Sequence, residues 1–195
     1  MQRGDIFVMR LFVAIEMPGD VLGRIGEVQE SLRETGADLN IPGRDNLHIT
    51  LKFMGEVPDS RKDEVVKLIS QALERFRPFS VKVGGVSHFG KGSRINVIWA
   101  GITEGKENLI EIIENLDKEL DHIRKNEHKP SPHLTVARVR TGRNREALLE
   151  ALRELSDVKF GEFDVKEIVL KSSDLTRRGP VYSDIETFRL REDDG

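Results

Sequence analysis

The sequence predicts an α+β protein built as a bilobal, duplicated fold. Two mainly antiparallel sheets are expected to flank a central cleft, with helices on their outer faces. Three observations predict this. First, the chain carries two near-identical tetrads, H-I-T-L from His48 and H-L-T-V from His133, each alternating polar and apolar as a strand does. Second, the order apolar strand, helix, H-x-T strand, helix, Val-Lys strand runs from Leu11 through Val83 and recurs from Val97 through Lys166. Even short phrases match, F-S-V-K-V at Phe79 with F-D-V-K-E at Phe163. Third, strand and helix patterns follow one another with hairpin-like neighbours, and no Pro/Gly/Ser-rich linker separates the two halves. Residues 1–195 therefore read as one bilobal domain. The first eight residues have no part in the repeat and are expected to be a peripheral extension, with Met9 a natural start.

The elements follow in order. Arg10 to Glu16 (R-L-F-V-A-I-E) is an apolar strand closed by Pro18. Pro18-Gly19-Asp20 opens a helix whose Val21, Leu22, Ile25, Val28 and Leu32 share one face. A loop from Gly36 to Asn46 precedes the first H-x-T strand, Leu47 to Phe53. A second helix starts at Asp59 or Ser60, buries Val65, Leu68, Ile69, Ala72, Leu73 and Phe76, and ends before Pro78. Phe79 to Val83 alternates as a strand, and Gly84-Gly85 marks a bend or bulge. Ile95 to Ile102 is its hairpin partner. A third helix spans Lys106 to Arg124 on Leu109, Ile112, Ile113, Leu116 and Leu120. A polar loop leads to the second H-x-T strand, His133 to Val139. A fourth helix covers Arg145 to Leu155, and strands Phe163–Leu170 and Val181–Leu190 finish the chain.

Composition narrows the function. The 195 residues carry a net charge of −3, with 33% charged and 37% hydrophobic residues. No bulk attraction to nucleic acid is expected, so any phosphate recognition must come from a local patch. The absence of cysteine excludes disulfides and thiolate metal sites. No apolar run approaches the roughly 18 residues of a membrane span, and no signal peptide is visible. A cytoplasmic protein without membrane contact is expected.

The tetrads carry the chemistry. On a strand, residues i and i+2 share a face. Each copy thus presents an imidazole and a hydroxyl on one side, His48 with Thr50 and His133 with Thr135, and buries two aliphatics on the other. Two imidazoles supply a general base and a general acid near neutral pH, and two hydroxyls hold phosphate oxygens. A lone strand histidine is more often structural, but recurrence at equivalent places in a duplication is not the behaviour of a chance packing residue. His88, His122 and His128 lack that support. No H-E-x-x-H, G-x-S-x-G or Walker loop occurs, so neither a metal nor a nucleotide cofactor is expected. Lys52 and Arg138 lie close to the motifs and read equally as site cations or as solvated surface. Arg138, five residues after His133, reaches the histidine face only through a bulge or at the strand end. Phe53, Phe89, Trp99 and Tyr182 are candidate base stackers.

With these motifs the chain resembles the 2H phosphoesterase superfamily, whose mark is two H-x-[ST]-x motifs in a bilobal α+β fold. It is most similar to the RNA 2′,3′-cyclic phosphodiesterase group, historically called 2′-5′ RNA ligases. The supporting phrases are M-R-L-F-V-A-I-E from Met9, N-L-H-I-T-L-K-F-M-G-E-V from Asn46, V-I-W-A-G from Val97, P-H-L-T-V-A-R-V from Pro132, and S-x-L…G-P-x-Y from Ser173 to Tyr182. The resemblance implies hydrolysis of RNA 2′,3′-cyclic phosphate ends to 2′-phosphates, with ATP-independent 2′-5′ ligation as its reverse. It implies His48 and His133 as the acid–base pair, with His48, by analogy, protonating the departing 3′ oxygen and His133 activating water; the reverse order is the alternative, and spacing does not decide between them. Thr50, Thr135 and Arg138 are then phosphate-binding residues. RNA 3′ ends or nucleotides bearing a 2′,3′-cyclic phosphate are the expected partners, and the protein is expected to be a monomer. Another small cyclic or 2′-5′ nucleotide as substrate, or a non-catalytic RNA-end-binding module, are the alternatives; two intact motifs speak against the latter.

Overall fold

The computed structural model describes residues 7–126, 129–177 and 179–192. The chain runs β1 (Val8–Glu16), α1 (Gly19–Glu34), β2 (Leu39–Asn40), a 3-10 turn (Arg44–Asn46), β3 (His48–Pro58), a second 3-10 turn (Asp59–Arg61), α2 (Lys62–Leu73), β4 (Phe79–Lys91), β5 (Arg94–Glu104), α3 (Lys106–Glu119), β6 (Leu134–Val139), α4 (Arg145–Glu154), β7 (Lys159–Val165), β8 (Glu167–Thr176) and β9 (Gly179–Arg189).

Every strand pairing is antiparallel, and the order across the sheet is β7-β4-β5-β6-β3-β1-β8-β9, with β2 on the free end of β6. The first lobe is β3-β1-β8-β9 and the second is β7-β4-β5-β6. The two lobe sheets are continuous: β3 and β6 meet through a single residue pair, Ile49 with Leu134. Both side chains are fully buried. The pseudo-two-fold axis of the duplication passes between them.

The halves of the sequence are exchanged between the lobes. β4 closes the first repeat yet pairs with β5 of the second, and β8 of the second repeat returns to β1. Helices cross as well: α1 packs on β6 and β7, while α3 packs on β3 and α2 on β9. The phrase F-S-V-K-V and its echo are therefore not symmetry mates. They lie side by side in one sheet, Val81 opposite Phe163, and share a pattern because they bury the same face.

Other boundaries shift for physical reasons. β3 continues to Pro58 rather than ending at Phe53, because β1 begins at Val8 and supplies partners that far. Val8 and Met9 thus belong to the sheet; Met1 to Ile6 lie outside the described residues. β4 runs through Gly84-Gly85 as a bulge. Gly85 has φ +70°, and a Cβ there would stand 2.8 Å from the Ser156 carbonyl oxygen, so only glycine lets this bend continue the strand. The predicted strand Phe163–Leu170 is divided at Lys166: β7 edges the second lobe and β8 lies inside the first. α3 stops at Glu119, and residues 120–123 form turns.

Candidate active site

The joint between the lobes assembles the two motifs. Because Ile49 faces Leu134 in antiparallel register, Thr50 stands opposite His133 and His48 opposite Thr135. All four point away from the core that takes the aliphatics. The imidazoles occupy a diagonal, positions about 7–8 Å apart in a regular ladder and somewhat closer at Cβ. His48, Thr50, Thr135 and Arg138 line a cleft of about 340 Å³, together with Phe12, Asn40, Asn46, Phe53, Ser173 and Tyr182. The lining of this cleft does not include His133, which stands on the same face of the sheet opposite Thr50.

The histidines are held alike. His48 Nδ1 lies 2.9 Å from the Asn46 carbonyl oxygen, and His133 Nδ1 lies 2.7 Å from that of Ser131. A carbonyl only accepts, so each Nδ1 carries a proton and donates it. Each ring then has Nε2 left outside that contact, able to accept a proton. Both contacts reach two residues back, so the segment before each strand, a 3-10 turn for His48 and an irregular stretch for His133, orients the ring.

Two bulges complete the cleft. Between Lys52 and Thr50 the register against β1 slips, and between Ala137 and Thr135 the register against β5 slips. Leu51-Lys52 and Val136-Ala137 are accordingly consecutive buried pairs. Each extra residue restores the next side chain to the histidine face. Phe53 and Arg138, both five residues after their histidine, enter the cleft this way. Lys52 does not: it is neither a cleft cation nor solvated. The bulge turns it to the back of the sheet, where its buried Nζ donates to Asp117 Oδ1 on α3 at 2.7 Å.

The ring environments differ. His48 is flanked by Phe12 and Tyr182, at centroid distances of 4.9 and 5.4 Å. His133 meets Phe89 edge-on at 5.0 Å, and Phe89 stacks on Trp99. Burial lowers the His48 pKa to about 4, opposed by the Asn46 carbonyl; the Lys171 ammonium adds to the lowering and Glu16 resists it. Lys171, on β8, is itself buried and donates to both Glu16 and Asp184. Burial opposes its charge, but those two carboxylates outweigh it and raise its pKa. Burial also raises Tyr182, against the nearby charges of Arg138 and Arg10. Arg138 therefore acts across the cleft on the first lobe.

Of the remaining histidines, His122 bonds Glu64 at 3.0 Å and His88 pairs with Ile98 in the sheet, while His128 lies outside the described residues. Among the described residues no group of three His, Asp or Glu is placed to hold a metal ion, and no helix is long and apolar enough to cross a membrane. Sequence reasoning missed Phe12, Asn46, Ser173 and the Lys171 cluster. Phe12 is hidden in a run of five apolar residues, Leu11 to Ile15. Only its even spacing from Ala14 and Glu16 marks the cleft face.

The fold is shared with known proteins. A crystal structure from Thermus thermophilus superposes with a TM-score of 0.78 at 27% identity, over 95% of this chain and all of that one. E. coli LigT complexed with 3′-AMP gives 0.77 at 21% identity, over 95% and 100%. In sequence, the RNA 2′,3′-cyclic phosphodiesterase of Methanothermobacter thermautotrophicus is 33% identical over 93% of this chain and 99% of its own length. That of Methanocaldococcus jannaschii is 35% identical over 92% and 100%. The 2′-5′ RNA ligase superfamily profile matches residues 20–177, taking in both histidine strands, both bulges and the exchanged β4 and β8. With that coverage, and with relatives of this identity along nearly the whole chain, the protein belongs to the 2′-5′ RNA ligase superfamily.

Proposed function

We propose that the protein is a phosphodiesterase that hydrolyses RNA 2′,3′-cyclic phosphate ends to 2′-phosphates, using His48 and His133 as its acid–base pair. One observation carries the reading: two imidazoles, each with Nδ1 committed to a backbone carbonyl, stand diagonally on one face of the sheet at the joint between the lobes, with a hydroxyl opposite each. The names of the sequence relatives support the substrate.

The tautomers leave Nε2 available on both rings, and the family resemblance assigns His133 as base and His48 as acid. Thr50 and Thr135 donate to the non-bridging phosphate oxygens, and Arg138 balances their charge. Neutral His133 accepts a proton from water at Nε2 as the water oxygen bonds to phosphorus. The phosphorus–O3′ bond breaks, and His48 delivers a proton from Nε2 to the departing O3′. The product is a 2′-phosphate beside a free 3′-hydroxyl. With a 5′-hydroxyl in place of water the same steps give 2′-5′ joining, and relief of ring strain replaces ATP as the driving force.

In the unliganded protein His48 is neutral, because burial holds it near 4. The acid's role requires it to gain a proton as the phosphodiester anion arrives, since a nearby negative charge raises a histidine's pKa. Incubation with 2′,3′-cyclic nucleotides and cyclic-phosphate-ended RNA, without metal or ATP, should give 2′-phosphates by chromatography and phosphorus NMR. Absence of product with both substrates overturns the reading. A 3′-phosphate product would show that the other ring oxygen leaves.

A further inference from the structure

The net charge of −3 conceals a strongly asymmetric distribution. No Asp or Glu occurs from Val86 to Thr103 or from Lys129 to Arg145. The fold brings these two acid-free stretches together on the second lobe. β5 pairs with β6, Val97 opposite Arg138. The β4–β5 hairpin tip is tied to the start of α4, where Arg145 Nε donates to the Ser93 carbonyl oxygen at 2.7 Å. Lys91, Arg94, Arg140 and Arg143 are exposed along this rim. Among the described residues none of the four is in an ion pair. The contrast with the first lobe is direct, since the Lys171 ammonium there is matched by Glu16 and Asp184.

The rim continues the catalytic cleft. Its inner end is Phe89, 38% exposed, which touches His133 edge-on and stacks on Trp99. Two residues further along β4, about 7 Å on, comes Lys91 at the hairpin tip. Arg138 links the rim to the cleft wall. An aromatic face followed by a row of unpaired cations, leading out of a site built for a phosphodiester, is the combination that holds single-stranded nucleic acid through stacking and backbone charge.

We propose that this rim of the second lobe is a track for the polynucleotide attached to the reacting end, with Phe89 as a stacking face and Lys91, Arg94, Arg140 and Arg143 on the phosphates. The protein then acts on the ends of RNA chains in preference to free cyclic mononucleotides. This rests on the phosphodiesterase reading above. Neutralising three or four single-strand phosphates gives a salt slope that weakens binding about 20- to 50-fold between 50 and 200 mM salt.

The test compares the wild type with the triple variant Lys91→Glu, Arg94→Glu, Arg143→Glu, none of which touches the cleft. Substrates are a 2′,3′-cyclic mononucleotide and a dodecaribonucleotide ending in a 2′,3′-cyclic phosphate. The wild type should show kcat/KM at least about tenfold higher on the oligonucleotide at 50 mM salt, and the advantage should shrink at 200 mM. The variant should lose that advantage through KM while keeping mononucleotide turnover within twofold. Equal rates of the wild type on both substrates, or an unchanged oligonucleotide KM in the variant, overturn the track. A parallel loss on both substrates does so too, because the residues would then serve the reaction or the fold. If the wild type turns over neither substrate, the phosphodiesterase reading fails by itself. The track is then decided by fluorescence anisotropy with a 2′-phosphate-ended dodecamer, where equal affinity of wild type and variant refutes it.

Discussion

At the scale of single residues the two histidines are held by the same backbone contact but live in different surroundings. Replacing either with Ala should lower kcat/KM by roughly two to four orders of magnitude, the usual worth of a general acid or base, with the circular dichroism spectrum unchanged. Either variant keeping near wild-type turnover of a cyclic phosphate would remove that histidine from the mechanism. Thr50→Val and Thr135→Val keep the side-chain shape and delete the donor, so kcat should fall more than KM rises, as expected for a bond that strengthens in the transition state. His48 gives a titration as well. Its pKa of about 4 in the folded protein lies below its ordinary 6.5, so the unfolded chain takes up that proton first. Stability should therefore fall as pH drops from 6.5 towards 4, and His48→Gln should flatten that slope in urea titrations. Histidine NMR should follow the same ring to a higher pKa when 2′-phosphate product is bound. If the ring stays near 4 in the complex, His48 is the base and His133 the acid.

Among elements, the paired bulges decide which side chains reach the cleft. The sequence spacing already demanded one: Arg138 sits an odd number of residues from His133 and has no regular path to its face. The matching bulge in β3 was equally legible in principle, from the adjacent Leu51 and Lys52, but a lysine there reads as solvent-facing. Its burial depends on Asp117, 65 positions away on α3, a partner that no local pattern reveals. The H-x-T strands, their buried aliphatics and the helix faces were legible because period and amphipathicity are local. The exchange of β4 and β8 between lobes was not, since strand pairing over such separations leaves no periodic trace. Breaking the pair between buried Lys52 and half-buried Asp117 tests the bulge's anchor. Asp117→Ala strands a buried ammonium and should cost about 3–5 kcal/mol in urea unfolding, whereas Lys52→Met should cost far less.

Across the whole molecule, each lobe draws strands from both halves of the chain. A cut at the exposed Gly92-Ser93 turn leaves β1, β2, β3 and β4 on one fragment and β5, β6, β7, β8 and β9 on the other. Neither fragment contains a complete lobe sheet. Separately expressed, the two should show little ordered structure by circular dichroism and should regain the native spectrum on mixing. A fragment that folds cooperatively by itself would contradict the exchange. Intact, the protein should unfold in one transition, because α1, strung between β1 and β3 of the first lobe, packs on β6 and β7 of the second, and α3, strung between β5 and β6 of the second, packs on β3 of the first.

The pair Ile49 and Leu134 lies on an axis of approximate symmetry, and the approximation has chemical value. Were the symmetry perfect, as between two identical chains, both imidazoles would share one environment and so one affinity for protons. A reaction that needs one ring charged while the other is neutral would then find the singly protonated pair with its proton on either ring alike, so that only half of those molecules would hold it on the required side. Joining the halves in one polypeptide releases each from copying the other. Phe12 and Tyr182 surround one ring, and Phe89 and Trp99 the other. Covalent continuity thus lets a near-symmetric framework hold a donor on one side and an acceptor on the other.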